Sequence, residues 1–281
     1  MGQRSTATAL WDHEPPELVE RATARLRVDQ GDPFFFDHPL DHVPGMLIIS
    51  GAAELIREGA DVAFAGRIRA AMTFRNICEL DPAPTLLLTD GGARGGIQVA
   101  QEATTVADGW FEFSAADDVP ERDSPLDPGR RVPANAALVH RARDENIVIG
   151  APWRGDGQVS AAVLPAPAGH TLAGRNPDTH AVEYLIEAGR QFSTWLPHRL
   201  ARWPLDAHML WIGVTVDLPV RLPRSLAVAL RWRVAPIAAE KAKFRFDLVP
   251  ADGRGPALGS LRFASKMLGR DDYDHFRGHA R

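Results

Sequence analysis

The sequence predicts an α+β fold made of two fused repeats, each a long buried helix wrapped by an antiparallel sheet. Three observations predict it. Two segments, 44–59 and 180–196, carry dense apolar patterns of helical length. Each is followed by a run of short strand signals separated by Gly, Pro and Asp turns. The two units also line up at a constant offset of 137 residues: Ile48 on Leu185, Ile49 on Ile186, Ala52 on Gly189, Leu55 on Phe192, Met72 on Met209 and Phe74 on Trp211. Such self-similarity is an internal duplication, and a fused pseudo-dimer follows because two-fold pairs are the commonest assemblies.

Residues 1–17 are polar, with Pro15-Pro16, and read as a lead-in. Leu18 to Val28 fits a strand or a short helix equally. Phe34-Phe35-Phe36 reads as a strand end running into a polar turn with two Asp-His steps, Asp37-His38 and Asp41-His42. Pro44 suits a first helical turn, where its missing N–H costs nothing. The helix it opens is apolar on nearly all sides from Leu47, the mark of a buried helix. Strands are expected at 68–80, 85–89, 96–106 and 110–114, with turns at Asp81-Pro82, Gly91-Gly92 and Asp108-Gly109. The string GGARGG lacks a phosphate-loop pattern and reads as a hairpin turn.

Asp117 to Pro133, rich in proline and charge, is the best linker, giving units 1–130 and 131–268 and a charged, frayed tail at 269–281. The second unit is expected to hold strands at 136–141, 146–149 and 159–164, then the helix stopped by Pro197, then strands at 208–217, 226–234, 243–249 and 257–264. Trp195, Trp203 and Trp211 read as core or tunnel-wall residues.

The chain has 281 residues and a net charge of −4, with 45% hydrophobic and 24% charged residues, the composition of a globular protein. No basic excess points to nucleic acid, and no apolar run approaches a membrane span. The start lacks the apolar core of a signal peptide. Cys78 is the single cysteine, which removes internal disulfides and cysteine zinc sites. A cytoplasmic protein is the expectation, with neither a metal nor a cofactor. His38 and His42 are four apart, but Pro39 and Pro44 exclude the regular helix that a zinc pair needs.

A single buried helix wrapped by a sheet, with Pro-Gly at its entrance, is similar to the hotdog fold. The string FFDHPLDHVPGMLII resembles the signature of the A-factor biosynthesis (AfsA-like) hotdog family. Val139-His140-Arg141 and Glu187-Ala188-Gly189-Arg190-Gln191 resemble the motifs of that family's other repeat. The resemblance implies a double hotdog. It implies transfer of a β-ketoacyl group from an acyl carrier protein to dihydroxyacetone phosphate, in γ-butyrolactone or butenolide synthesis. The chain departs from the pattern in three places. Its repeat order is swapped, its first helix has Ser50, Ala53 and Glu54 where the family carries Glu and then Arg-Gln, and the HDP turn reads His180-Ala181-Val182.

Glu187 is the foremost catalytic candidate. It falls opposite an apolar face of residues 185, 188, 192 and 195, on a face shared with Glu183, Arg190 and Thr194. A carboxylate there has a raised pKa, unless Arg190 holds it ionised. It is then either an acid–base group or a fixed carboxylate that orients substrate. His42 is the second candidate. Asp41 at the helix entrance fixes its tautomer and makes it a better base, and in a pseudo-dimer it can meet Glu187 across the unit interface. Arg190 completes the catalytic set as a phosphate ligand. His38, Gly45, Gln191 and His180 join Asp41 as binding candidates, Gly45 through backbone N–H groups at the helix start. Only the second helix carries the charged pair, since Glu187 and Arg190 fall on Ser50 and Ala53, so one site per chain is expected.

Three functions stay open. One is acyl transfer from a carrier-protein or CoA thioester to a small hydroxylated acceptor. The second is dehydration, hydration or hydrolysis of such thioesters, and the third is non-catalytic acyl binding. The expected state is a monomeric pseudo-dimer or a homodimer.

Overall fold

The computed structural model describes residues 19–59, 65–90, 94–115, 119, 123–174, 176–238 and 241–279. The first half contains β1 (Val19–Arg25), α1 (Gly45–Gly59), β2 (Arg67–Phe74), β3 (Thr85–Asp90), β4 (Gly95–Gln101) and β5 (Thr104–Ser114). The second contains β6 (Trp153–Gly155), β7 (Gln158–Ala162), α2 (Val182–Leu200), β8 (His208–Pro219), β9 (Val228–Arg233), β10 (Lys241–Pro250) and β11 (Gly259–Leu268), followed by α3 (Arg270–His279). Among the described residues the strands form one antiparallel sheet in the order β1-β3-β4-β5-β2-β8-β11-β10-β9-β7-β6. The halves join at β2 and β8, paired from Arg67↔Pro219 to Thr73↔Gly213. About this seam the order reads nearly the same in both directions.

α1 packs on β1 and β3, α2 packs on β8, β9 and β11, and the two helices touch. Both contribute to one continuous apolar core. α1 is amphipathic: Met46, Leu47, Ile48, Ile49, Ala52, Leu55 and Ile56 are buried, while Glu54, Arg57 and Glu58 face outward. α2 is buried almost throughout, polar residues included. It lies close to the sheet at Gly189, where a Cβ would come within 2.5 Å of the Phe263 ring. Phe192 stacks on Phe246 at 4.9 Å, which fills the space between α2 and the sheet.

Several expectations are corrected. Of the 18–28 segment, read as strand or short helix, Val19–Arg25 forms strand β1, and Phe34 to Phe36 lies in a turn whose Phe34 and Phe35 N–H groups donate to Asp32 Oδ1 at 2.8 and 2.9 Å. Residues 136–141 and 146–149 are not strands. Short 3-10 turns occupy Ala136–Val139 and Asp144–Asn146, because Asn135 Oδ1 captures the Ala137 N–H and His140 takes a left-handed conformation at φ 52°. The expected strand at 96–106 divides at Glu102 into β4 and β5. Asp108-Gly109 lies inside β5, not at a turn.

Pro197 sits inside α2, one turn from its end, instead of stopping it. The tail is not frayed, since α3 buries Tyr273. Nor is the offset constant. The helices start 137 residues apart, but β3 and β9 start 143 apart, because connecting loops absorb insertions at little cost. β3 and β4 pair as the hairpin reading requires, although residues 91–93 lie outside the described residues. So do the lead-in 1–17 and most of 116–122, while the rest of the linker docks through a Ser124↔Leu226 bridge and buried Leu126.

Gly109 is needed where β5 crosses closest to β2, since a Cβ would lie 2.2 Å from the Ala71 carbonyl oxygen. The partner atom is backbone and cannot rotate away. Gly109→Ala is expected to lower unfolding free energy by about 1–3 kcal/mol, the cost of overpacking. Urea titration measures it, and wild-type stability would contradict the close approach.

Candidate functional site

A cavity of about 910 Å³ lies between the α1 entrance, the ends of β2 and β8, α2 and α3. His38, Asp41, His42, Gly45, Trp211, His140, Arg141, Arg190, His208 and Tyr273 are on its wall. The stretch from His38 to Met46, inside the string that reads as a signature in the sequence, therefore forms one side. The other side comes from α2 and the loop around residue 140.

The deepest group is Glu187, fully buried on α2. Its carboxylate accepts from Arg141 Nη2 at 2.7 Å, Arg190 Nε and Nη2 at 2.7 Å each, and Gln191 Nε2 at 2.7 Å. Burial alone would raise its pKa, but the Arg141 and Arg190 guanidiniums outweigh it and hold the carboxyl at about 2. Of the two states open to a carboxylate on this helix, the ionised, fixed one is present. All its oxygens are engaged, so the geometry suits positioning of the two guanidiniums, not proton exchange. The polar residues expected to share a face of α2 are inside the molecule: Glu183, Glu187 and Thr194 are all buried, and Arg190 pairs with Glu187.

Arg141 ties this carboxylate to the α1 entrance. Its Nη1 donates to the Phe34 carbonyl at 2.8 Å and lies 3.5 Å from Asp37 Oδ2. The Asp37 side chain is wholly buried and accepts from His38 Nδ1 at 2.6 Å, the Ala142 N–H at 3.2 Å and Asn146 Nδ2 at 3.3 Å. Burial opposes its ionisation, but His38, Arg141 and Asn146 bring it down to about 2. The region thus holds two anions and two cations in mutual contact, and the guanidiniums of Arg141 and Arg190 reach the cavity wall.

His42 faces the cavity from the α1 entrance. Its Nδ1 pairs with Asp41 Oδ1 at 2.7 Å, which leaves Nε2 as the acceptor, with no partner among the described residues. Asp41 is also gripped by α3: Tyr273 Oη donates to Oδ1 at 2.8 Å and Arg277 Nε to Oδ2 at 3.0 Å. Burial, opposed by the His42 and Tyr273 hydrogen bonds and by Arg277, leaves Asp41 at about 2. Arg277 also forks onto both Glu79 oxygens at 2.8 Å. Tyr273 stacks on His208 with ring centres 3.8 Å apart. At the helix start, the Gly45 Cα packs so tightly that a Cβ would lie 3.0 Å from Trp211, and Gly45 and Met46, in the first helical turn, are both on the cavity wall.

His38, His42, Asp41, Gly45 and Arg190 are thus together on one cavity, with Glu187 directly behind Arg190. Two sequence candidates are elsewhere. Gln191 is fully buried as a clamp, accepting from the Val148 N–H and donating to the Asn146 carbonyl and Glu187. His180 lines a separate cavity of about 1040 Å³ on the Ser50 face of α1, where burial lowers its pKa and Nε2 meets the Leu226 carbonyl at 3.2 Å. Asp37, weighed with His38 as a candidate from the sequence, lies behind the cavity wall and pairs with Arg141. Sequence reasoning gave no site role to Arg141, Tyr273 and Arg277. Arg141 is the last residue of the Val139-His140-Arg141 motif already singled out; for Tyr273 and Arg277 the only signal is an amphipathic spacing of four in the tail. Among the described residues no cluster of His, Cys, Asp and Glu could hold a metal ion, and no helix is long and apolar enough to cross a membrane.

Glu187→Gln would leave two buried guanidiniums without their counter-charge. An unfolding free-energy loss of about 3–5 kcal/mol is expected, the cost of breaking a buried pair. Glu187 and Asp37 ionise far more readily folded than unfolded, so their contribution is full above the ordinary carboxylate range. It is lost as pH falls from about 5 to about 2. Urea titrations across that window test both points, and a flat stability profile would contradict the ion cluster.

The sequence matches the family model described as the A-factor biosynthesis hotdog domain over residues 4–53 and 123–241. No curated protein shows a significant sequence match. Among solved structures, the dehydratase domain from the CurF module of curacin polyketide synthase is 13% identical with a TM-score of 0.57, covering 92% of this chain and 97% of its own. The bifunctional dehydratase-cyclase domain of ambruticin biosynthesis is 16% identical with a TM-score of 0.55, covering 93% and 99%. The TesB protein of Mycobacterium avium subspecies paratuberculosis is 13% identical with a TM-score of 0.55, covering 83% and 90%. At these identities the likeness is one of fold. The family match spans more than half of the sequence and includes both helix entrances, the DHVPGM string and the Glu187 to Gln191 segment, so the chain belongs to the A-factor biosynthesis hotdog domain family.

Proposed function

We propose that the protein is an acyltransferase that moves a β-ketoacyl group from a carrier-protein thioester to a small hydroxylated anion such as dihydroxyacetone phosphate, in signalling-molecule or secondary-metabolite synthesis. The observation that carries this reading is the single cavity bordered by the Asp41–His42 pair on one side and the Arg141 and Arg190 guanidiniums on the other. A free imidazole nitrogen supplies a base, and fixed guanidiniums supply an anion anchor.

In this reading His42 Nε2 takes the proton of the acceptor hydroxyl as its oxygen adds to the thioester carbonyl. Asp41 keeps the proton on Nδ1 and stabilises the imidazolium that forms. Backbone N–H groups at Gly45 and Met46 stabilise the oxyanion. The C–S bond then breaks, and the thiolate recovers the proton from His42. Arg190 and Arg141 bind the acceptor's phosphate while Glu187 holds them in place, a positioning role. A dehydratase would need a carboxyl that exchanges protons. The doubly paired Glu187, held at about 2, is poorly suited to that, so transfer is favoured over dehydration. The fused units are taken as 1–130 and 131–268 of a double hotdog, with the charged site in one of its two helix-entrance cavities.

Incubation with β-ketoacyl, enoyl and saturated acyl carrier-protein thioesters, each with and without dihydroxyacetone phosphate, tests the reading. Release of β-ketoacyl groups only when the acceptor is present is expected. Acceptor-independent conversion would instead make the protein a dehydratase or thioesterase, and binding without turnover would make it an acyl-binding protein. His42→Asn is expected to cut turnover about 100-fold or more, the scale for a positioned base, while the melting temperature stays near wild type. Turnover within a few-fold of wild type would remove His42 from the mechanism.

A further inference from the structure

The outer face of the sheet in the second half is strongly cationic. On β10, Lys241, Lys243 and Arg245 are exposed and alternate with Ala242, Phe244 and Phe246, which are buried. On β11, exposed Arg262 alternates with buried Leu261 and Phe263. Phe246 stacks on Phe192, and Phe263 lies against Gly189, both on α2. Successive side chains point to opposite faces of a strand, so the cations stand on the side turned away from α2, toward solvent.

The register makes this arrangement costly. Arg245 lies directly opposite Arg262, and Lys241 opposite Lys266. Like charges opposite each other on neighbouring strands repel and weaken the ladder. β9 adds Arg231 and exposed Arg233. Asp247 on β10 is taken by Arg231 at 3.5 Å, and Asp217 on β8 by Arg67 and Arg69. Arg233, Lys243, Arg245 and Arg262 have no ion pair among the described residues. β10 and β11 are interior strands of the sheet, so charge is not needed there to guard an open edge. A chain of net charge −4 thus concentrates uncompensated positive charge in one place.

The cationic rows lead to the site. Lys266 is in register with Leu210 on β8, and Leu210 lines the cavity that holds His42. The side chains set among the cations are small: Ser260, Ala264, Thr215 and Gly213. No large apolar group projects among them to enter a bilayer, and no ring is there on which bases could stack. Such a surface suits the acidic face of another protein.

We propose that this face docks an acidic surface of the carrier protein that delivers the thioester. This deepens the transfer reading and rests on it for the identity of the partner. The carrier's carboxylates supply the counter-charge that the sheet lacks, and docking relieves the repulsion across the Arg245–Arg262 and Lys241–Lys266 pairs. The docked carrier sits next to the cavity wall at Leu210.

Steady-state kinetics with a β-ketoacyl carrier-protein thioester, and separately with the same acyl group on pantetheine, test this. The double variant Arg245→Glu, Arg262→Glu is expected to raise KM for the carrier-protein thioester about 10-fold or more while kcat stays within about 2-fold. Both constants for the pantetheine thioester should stay at wild-type values. The milder Arg245→Gln, Arg262→Gln removes a like-charge pair, so it should keep the melting temperature while raising the carrier KM about 3-fold. Added salt should raise the wild-type carrier KM toward that of the variants. Calorimetry with the unloaded carrier protein, which needs no turnover, should show binding that the double Glu variant loses. An equal loss with the pantetheine thioester, no carrier binding to wild type, or binding of phosphatidylglycerol vesicles or RNA in its place would each overturn the proposal. Carrier binding that depends on Arg245 and Arg262 without any acyl transfer would retain it and remove the transfer reading. Transfer from the carrier that is indifferent to both arginines would do the reverse.

Discussion

The buried charge cluster of Glu187, Arg141, Arg190 and Asp37 is the constraint on which the rest of the site depends. A lone carboxylate at the position of Glu187, with no solvent exposure, would be neutral or would unfold the helix around it. Two guanidiniums make it tolerable, and each brings a separate stretch of chain. Arg190 comes from α2 itself, and Arg141 comes from the loop after the Ala136–Val139 turn. Arg141 then draws in the Phe34 carbonyl and Asp37 from the α1 entrance. Three segments distant in sequence are fixed by one set of charges. The polar wall of the cavity is the outward side of that set.

How much of this was legible in the sequence follows from the range of each interaction. The two helices were readable because apolar spacing is local, and both entrances lie within two residues of expectation. The Glu187–Arg190 pair was readable because residues three apart share a helix face. Arg141 was not, because its partner lies 46 residues away and depends on a backbone turn at His140 that apolar alternation disguised as a strand. Gly109 was misread as a turn signal for a related reason: its function is to let two strands approach, and the opposing strand is absent from any local window. α3 was missed because a charged tail looks unstructured until Tyr273 and Arg277 find Asp41 and Glu79.

The asymmetry between the two helices separates fold from chemistry. α1 and α2 occupy comparable places in the sheet, yet Ser50 and Ala53 stand in α1 where α2 has Glu187 and Arg190. The cavity beside Ser50 is accordingly walled mainly by apolar side chains from α1 and the seam strands. Among its charged residues, Arg57 on α1 reaches Glu183 on α2 at 2.5 Å. That ion pair ties the helices together at the end away from the charge cluster.

The seam between β2 and β8 has a consequence for biosynthesis. β2 leaves the ribosome long before β8, yet its outer edge has no other partner in the sheet. The nascent first half therefore presents an open edge, with Ile68, Ala70 and Met72 on it, throughout translation of the intervening loop and α2. Such an edge invites pairing between neighbouring chains on a polysome. Arg67 and Arg69, whose acceptor Asp217 is supplied only by β8, stand on that same edge without this counter-charge until then. They serve as gatekeepers of the nascent strand before they become ion-pair partners in the finished sheet.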